Sequence, residues 1–103
     1  MTNWQLLNYC DYTNIRVFKR MLRKYYLLRT LAERGDSVAA AIFVDLKNAL
    51  NNEGVLSARE RYCVKAWIDG RKQWEIAGTY DTYQQYISRD IHRGIKKMQK
   101  FLC

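Results

Sequence analysis

The side chains of this sequence that could do specific chemistry are concentrated near its C-terminal end. Between Gln84 and Lys97, amide, hydroxyl and guanidinium groups come first and cations follow. Glutamine and arginine can make paired hydrogen bonds to base edges, and lysine and arginine also bind phosphates. This order predicts a nucleic-acid-binding helix. The candidate residues are Gln84, Gln85, Tyr86, Ser88, Arg89, Arg93, Lys96 and Lys97, with Lys72 and Gln73 upstream.

The groups that an enzyme needs are missing. The only histidine, His92, has no recognisable nucleophile partner, and Asp81 and Asp90 are too isolated to predict an acid and base pair. The sequence also has no glycine-rich phosphate loop. We therefore expect no enzymatic activity and no cofactor.

The three cysteines do not predict a metal site. Cys10, Cys63 and Cys103 are far apart, whereas zinc needs about four ligands at short spacings. Cys63 lies among apolar residues and is expected in the core. The N-terminal residues contain no long apolar run, so we expect neither a signal peptide nor a membrane span. The expected compartment is the cytoplasm, with reduced thiols.

The composition predicts a small, basic, all-helical protein. The 103 residues are 49% hydrophobic and include 5 glycines and no proline, which favours one helical domain or two helical units sharing a core. Lysine and arginine number 18 against 10 acidic residues, a net charge of +8. Such a charge attracts polyanions of any sequence, although a solvated basic surface without a ligand would have the same composition.

Hydrophobic spacing and capping residues predict five main helices and no sheet. Apolar residues recur every three or four positions, as on one face of a helix. The expected helices cover residues 15–34, 37–50, 57–68, 72–79 and 83–100. Asn14 and Asp36 are the expected caps of the first two, Gly35 can end the first, and Ser57 with Glu60 forms a capping box.

The last two helices are expected to position the candidate residues. Trp74, Ile76 and Ala77 give the shorter helix an apolar side. A turn follows at residues 80–82, where Asp81 tolerates a left-handed conformation and Thr82 is the expected cap. The last helix is expected to bury one face, formed by Ile87, Ile91, Ile95 and Met98. A break at 51–54 separates two expected regions, residues 1–54 and 55–103.

The first long helix carries a second basic surface. Residues 16–34 contain seven cations and only one acidic residue, Glu33. The cations are Arg16, Lys19, Arg20, Arg23, Lys24, Arg29 and Arg34. This surface could follow a phosphate backbone, contact anionic lipid, or extend into water from a helix that packs its apolar side inward. The preceding residues 1–13 are rich in large apolar groups and are expected to form a short helix or a cap on the core.

Short stretches of the C-terminal half, collinear without a gap, carry a resemblance to a known family. They are LSARER at 56–61, DG at 69–70, EIA at 75–77 and QQYISR at 84–89, followed by Arg93, Ile95, Lys97 and Met98. Together they resemble region 4 of bacterial RNA polymerase sigma factors of the sigma-70 type. The chain departs from that family at Tyr83, where a Ser or Thr usually caps the recognition helix.

The resemblance implies a helix-turn-helix within residues 55–103 that binds promoter DNA of the −35 type and the flap of RNA polymerase. A complete sigma factor also has a domain that melts the −10 element, and the upstream residues are too few for a normal domain of that kind. The architecture is more similar to that of short, phage-encoded sigma-like activators of late genes.

A protein-interaction module is the alternative function. Such a module, a polymerase-binding adaptor or anti-activator, would keep the fold without reading DNA. Tyr80, Tyr83 and Tyr86 would then be interface aromatics, a residue type enriched in protein interfaces. A third interpretation assigns the aromatics to the core and only a solubilising role to the cations.

Overall fold

The structure, a computed structural model, describes residues 12–103, which form six α-helices and contain no strand. The helices are α1 (Ile15–Arg23), α2 (Tyr25–Glu33), α3 (Ser37–Asn51), α4 (Ala58–Ile68), α5 (Gln73–Thr79) and α6 (Gln84–Leu102). The predicted all-α fold is confirmed. None of these helices is long and apolar enough to cross a membrane. Tyr12 and Thr13 form a turn, and the rest of the element expected over residues 1–13, with Cys10, lies outside the described residues.

Local sequence signals set the starts of three helices. The side chains of Asn14 and Asp36 each accept hydrogen bonds from the backbone N–H groups two and three residues further on. The Ser57 hydroxyl accepts from the Glu60 N–H at 3.1 Å, and the Glu60 carboxylate accepts from the Ser57 N–H at 3.0 Å. These caps and the capping box were all predicted, and they are confirmed.

One predicted cap is wrong. Tyr83, not Thr82, is the N-cap residue of α6, and no side chain bonds to the first N–H groups of this helix. The preceding turn is made by Asp81, whose φ is 50°. That left-handed conformation was expected, since aspartate tolerates it better than most residues. The start of α6 therefore depends on the turn and on tertiary packing.

The single helix predicted over residues 15–34 is wrong, because the chain bends at Lys24 and forms two helices. Lys24 has φ −96° and ψ 15°, and α1 ends where α2 begins. Contacts of the flanking residues stabilise the bend. The Arg23 guanidinium lies 3.8 Å from the centroid of the Trp67 ring, and the Tyr26 hydroxyl donates to the Asp69 carboxylate. The bend allows α1 to pack on α6 and α2 to pack on α3.

The central helix of the bundle is α6, which contacts α1, α3, α4 and α5. Its predicted apolar face is buried, and Gly94 is buried with it. The core residues from the other helices include Phe18, Leu22, Leu46, Leu50, Val64 and Ile76. One residue predicted on an apolar face, Trp74, is exposed instead. Trp74 is 62% exposed because Ile76 and Ala77, the buried residues of α5, lie on the other side of that helix.

Hydrogen bonds connect the region before residue 54 with the region after it. The Arg61 guanidinium donates to the Leu50 carbonyl at 3.0 Å and to the Leu56 carbonyl at 3.2 Å. At the other end of the bundle, the Gln99 amide donates to the Thr13 carbonyl at 2.9 Å. The two regions therefore pack on each other through α6 and through these polar contacts.

Gly94 permits a close approach of α6 to α4. A Cβ atom at Gly94 would lie 2.8 Å from Val64 Cγ2 and 3.6 Å from Glu60 Cβ. In real proteins, Cβ atoms essentially never come within 3.0 Å of a heavy atom that belongs to a residue distant in the chain. The glycine in the middle of this helix is thus explained by packing, even though glycine weakens a helix.

Glu60 is a buried carboxylate with two roles. Besides completing the capping box, its Oε1 accepts from Lys97 Nζ at 2.9 Å, which ties α4 to α6. Burial by itself would raise the pKa of this carboxyl. Hydrogen bonds from Lys97 and Ser57, together with the Lys97 charge, outweigh burial and hold the pKa below its ordinary value of 4.5.

We expect Glu60→Gln to remove part of the acid sensitivity of the fold. A carboxyl whose pKa is lowered by folding stabilises the protein above its unfolded-state pKa, and this contribution is lost as the pH falls through the lowered value. Glutamine keeps the acceptor of the capping box and loses the charge. The unfolding free energy at pH 7 should fall by about 1–2 kcal/mol, and the loss should shrink below pH 4.5.

Urea unfolding at a series of pH values measures this difference. Glu53→Gln is the control, since Glu53 is exposed on the surface. A Glu60→Gln protein whose stability deficit stays constant down to pH 3 or so would contradict the assignment of the ion pair.

Candidate nucleic-acid interface

Residues 80–83 connect α5 to α6 and are held by an aromatic and cationic cluster on α4. The Tyr80 ring packs edge-on against Tyr62, with ring centroids 5.4 Å apart, and the Arg59 guanidinium lies 5.0 Å from the Tyr80 centroid. Arg71 donates to the Tyr62 hydroxyl at 2.6 Å. A connection of this length joins the two helices of a helix-turn-helix. The cluster therefore fixes the position at which α6 begins.

The outer face of α6 is the exposed side opposite its buried residues. It consists of Gln85, Arg89, His92, Arg93, Lys96 and Lys100. These residues share one side because a helix turns 100° per residue. Gln84 and Ser88 are also exposed and border this face along one edge, and Tyr86 and Lys97 border it along the other. All of the residues predicted on α6 are thus at the surface.

Aromatic rings accompany the cations at the start of α6. The Tyr83 and Tyr86 centroids are 6.2 Å apart, and the Arg89 guanidinium lies 5.4 Å from the Tyr86 centroid. Tyr83 is 73% exposed and Tyr86 40% exposed, so neither belongs to the core. The Tyr86 ring restricts the Arg89 side chain without neutralising it.

The single acidic residue of α6 does not compete with its cations. Asp90 accepts from Arg59 Nε at 2.7 Å and lies on the side that faces α4. Arg93, Lys96 and Lys100 have no ion-pair partner among residues 12–103. The outer face therefore presents uncompensated positive charge, the condition for attracting a polyanion.

Lys97 differs from its neighbours. It was predicted as a surface cation, and its ammonium is 2.9 Å from the buried Glu60 carboxylate. Its side chain is still 45% exposed, so it remains at the edge of the outer face. Lys97 contributes less net charge to the surface than Lys96 does, because Glu60 balances it.

No family model, curated protein or solved structure matches this chain. The geometry and the charge of this surface are therefore the observations that bear on its function.

The two candidates outside α6, Lys72 and Gln73, flank the start of α5. Lys72 is exposed, and Gln73 is half-buried. Gln73 lines a cleft of about 170 Å³ between α1 and α6, with Lys19, Ser88 and His92 at its rim and Trp67 and Ile95 inside. This α1–α6 cleft brings two predicted site residues, Gln73 and Ser88, to a cation of the first helix.

The seven cations of residues 16–34 do not form one surface. Arg23 stacks on Trp67 and donates to the Trp67 carbonyl at 3.1 Å, and Arg29 pairs with Glu33 at 3.4 Å. The bend at Lys24 further separates the cations of α1 from those of α2. Arg16, Lys19 and Arg20 remain on α1 without an ion-pair partner in residues 12–103.

Sequence reasoning missed three residues of this surface. Lys100 and His92 follow Lys96 and Ser88 by four positions, so their helical spacing could have placed them beside the candidates. Lys19 was predicted only as one cation of the first helix, because its position beside α6 depends on how α1 packs.

Residues 12–103 contain no group of three His, Cys, Asp or Glu side chains that could hold a metal ion. Cys63 is buried as predicted, and burial raises the pKa of its thiol, which keeps it protonated near neutral pH. What the surface offers is binding chemistry, namely amide, guanidinium and ammonium groups on one helix.

Proposed function

We propose that this protein is a DNA-binding transcription regulator that places α6 in the major groove of duplex DNA. The observation that supports the proposal best is the outer face of α6. It combines amide and guanidinium groups near the start of the helix with cations further along, and it has no carboxylate. A recognition helix needs this combination, because its first turns contact base edges and the flanking cations bind phosphates.

The individual roles follow from the side chains. Gln84 and Gln85 can pair with adenine N6 and N7, and Arg89 with guanine O6 and N7. Arg93, Lys96 and Lys100 lie further along α6, where the helix would leave the groove, and they would bind phosphates. Tyr86 would support Arg89, whose guanidinium lies close to its ring.

The transcriptional part of the proposal comes from the resemblance to sigma region 4. A sigma-like regulator would bind DNA of the −35 type and touch RNA polymerase, and a late-gene activator of a phage is one protein of this kind. The connection of α5 to α6 through residues 80–83 is compatible with a helix-turn-helix.

Binding to duplex DNA should depend steeply on salt. Six cations around the proposed interface lack an ion-pair partner within residues 12–103, namely Lys19, Lys72, Arg89, Arg93, Lys96 and Lys100. Neutralising about four to six phosphates gives a slope of log K against log salt of about −4 to −5. Fluorescence anisotropy at a series of salt concentrations measures this slope. A slope near zero, or no retention of DNA at low salt, would reject the proposal.

Selection of bound duplexes from a random pool tests sequence reading. The protein should enrich one motif, either alone or when purified RNA polymerase is present. Enrichment only with polymerase would indicate that the polymerase positions α6 on DNA. Failure to enrich any motif under both conditions would contradict sequence-specific recognition.

A protein-interaction module is the second candidate, and exposed aromatic residues favour it. Trp74 is 62% exposed and Tyr83 is 73% exposed, and large aromatics of this kind are enriched in protein interfaces. A module of this type would bind purified polymerase without DNA, and Trp74→Ala with Tyr83→Ala would weaken that binding. If the same pair of substitutions leaves polymerase binding intact, these aromatics are not the interface.

A further inference from the structure

The α1–α6 cleft contains one cation and several polar groups but no carboxylate. Lys19 is half-buried at its rim, and Gln73, Ser88 and His92 supply an amide, a hydroxyl and an imidazole. Lys19 has no ion-pair partner among residues 12–103. This arrangement is suited to an anion with several acceptor oxygens.

The inner wall of the cleft is held in place by contacts already described. Arg23 lies over the Trp67 ring and donates to the Trp67 carbonyl, and both contacts restrict the Trp67 side chain. Ile95 is fully buried beneath the opening. At about 170 Å³ the cleft is smaller than the pockets that typically hold drug-sized ligands, and it suits a small group such as a phosphate.

The position of the cleft relates it to the outer face of α6. Ser88 and His92 lie next to Arg89 and one turn apart along α6. When base edges lie against the start of the helix, a neighbouring backbone phosphate would lie along this edge. Lys19 would then contact DNA although it belongs to a different helix.

We propose that the α1–α6 cleft binds one phosphodiester group of the DNA backbone, with Lys19 as its cation and Gln73, Ser88 and His92 as hydrogen-bond donors. The proposal rests on the proposed function and adds α1 to the interface. Because a phosphate contact carries no sequence information, the cleft should fix the orientation of the protein on DNA without changing its preferred site.

The test compares Lys19→Gln with Arg20→Gln in the full chain. Both substitutions remove one charge from α1, but Arg20 does not line the cleft. Lys19→Gln should weaken binding to random and selected duplexes alike, by roughly fivefold to tenfold at 0.1 M salt, and should lower the salt slope by about one. Arg20→Gln should change the slope much less. Circular dichroism establishes that both variants fold.

Further variants separate this proposal from the proposed function. Ser88→Ala combined with His92→Ala should weaken binding to both kinds of duplex, and Arg93→Gln reports on the outer face of α6. If Arg93→Gln lowers the slope and Lys19→Gln does not, the cleft proposal is overturned and the proposed function stands. Equal losses of DNA affinity in Lys19→Gln and Arg20→Gln would also overturn the cleft proposal. They would indicate that the general positive charge of α1, and not the cleft, attracts DNA.

Two other outcomes would overturn the cleft proposal. In the first, the wild-type protein fails to retain duplex DNA at low salt, and the proposed function then fails as well. In the other, the Lys19→Gln protein binds phosphatidylglycerol vesicles more weakly than the wild-type protein does, while its DNA binding is unchanged. That result would assign Lys19 to a lipid surface.

Discussion

Replacing Gly94 by alanine should destabilise the protein by about 1–2 kcal/mol. The new Cβ atom would lie 2.8 Å from Val64 Cγ2, so α4 and α6 would have to separate or Val64 would have to move. Val64 is fully buried and β-branched, which leaves it little freedom to move. Overpacking of this kind costs about 1–3 kcal/mol. The higher helix propensity of alanine relative to glycine offsets up to about 1 kcal/mol of this cost.

Gly78→Ala is the matched control for this effect. Gly78 is also within a helix, α5, but a Cβ atom there would meet no other atom within 4 Å. Only helix preference should then operate, and Gly78→Ala should stabilise the protein by up to about 1 kcal/mol. Urea unfolding measures both variants under the same conditions. The two substitutions should therefore change the unfolding free energy in opposite directions.

A double substitution tests the cause of the Gly94→Ala effect. Val64→Ala removes the methyl group that the new Cβ atom would meet, so it should cost less in the Gly94→Ala background than in the wild-type protein. Additive effects of the two substitutions would contradict the close approach of α4 and α6.

Arg89→Ala should relax sequence discrimination at one base pair without removing general affinity for DNA. The Arg89 guanidinium is exposed near the start of α6 and is restricted by the Tyr86 ring. A bidentate contact to guanine O6 and N7 contributes about 1–3 kcal/mol of discrimination. The variant should lose this amount on the best selected duplex and much less on random DNA. Anisotropy titrations with both duplexes measure the difference.

Lys96→Ala should behave differently. As a phosphate contact, Lys96 should contribute about equally to all duplexes, and its loss should lower the salt slope by about one. Arg89→Lys is a further control, because lysine keeps the charge but not the planar fork of donors. If Arg89→Ala and Lys96→Ala behave alike on both kinds of DNA, α6 does not read bases, and the protein-interaction module becomes the better explanation.

The parts of the fold that depend on neighbouring residues could be predicted from sequence. Asn14, Asp36 and the Ser57–Glu60 capping box act within three residues, so their types and spacing suffice to identify helix starts. The buried face of α6 was also predictable, because its four apolar residues recur at helical spacing.

The features that depend on distant contacts could not be predicted. The bend at Lys24 is stabilised through Trp67 and Asp69, more than forty residues away, and no glycine or proline marks it. Trp74 was assigned to an apolar side by its residue type, although the short helix α5 turns it outward. Helical spacing correctly predicted that the candidate residues of α6 lie at the surface. It could not indicate that Glu60 pairs with Lys97.

The central position of α6 makes ligand binding and folding thermodynamically linked. Ile95 and Met98 are fully buried on one side of the helix that carries Arg93 and Lys96 on the other. A ligand of the outer face therefore selects the folded chain, and at 100 times its dissociation constant it would add about 2.7 kcal/mol to the unfolding free energy. The melting temperature of the whole protein should therefore rise with the concentration of such a ligand. For the same reason, the central part of α6 cannot unfold locally without loss of the core of the bundle.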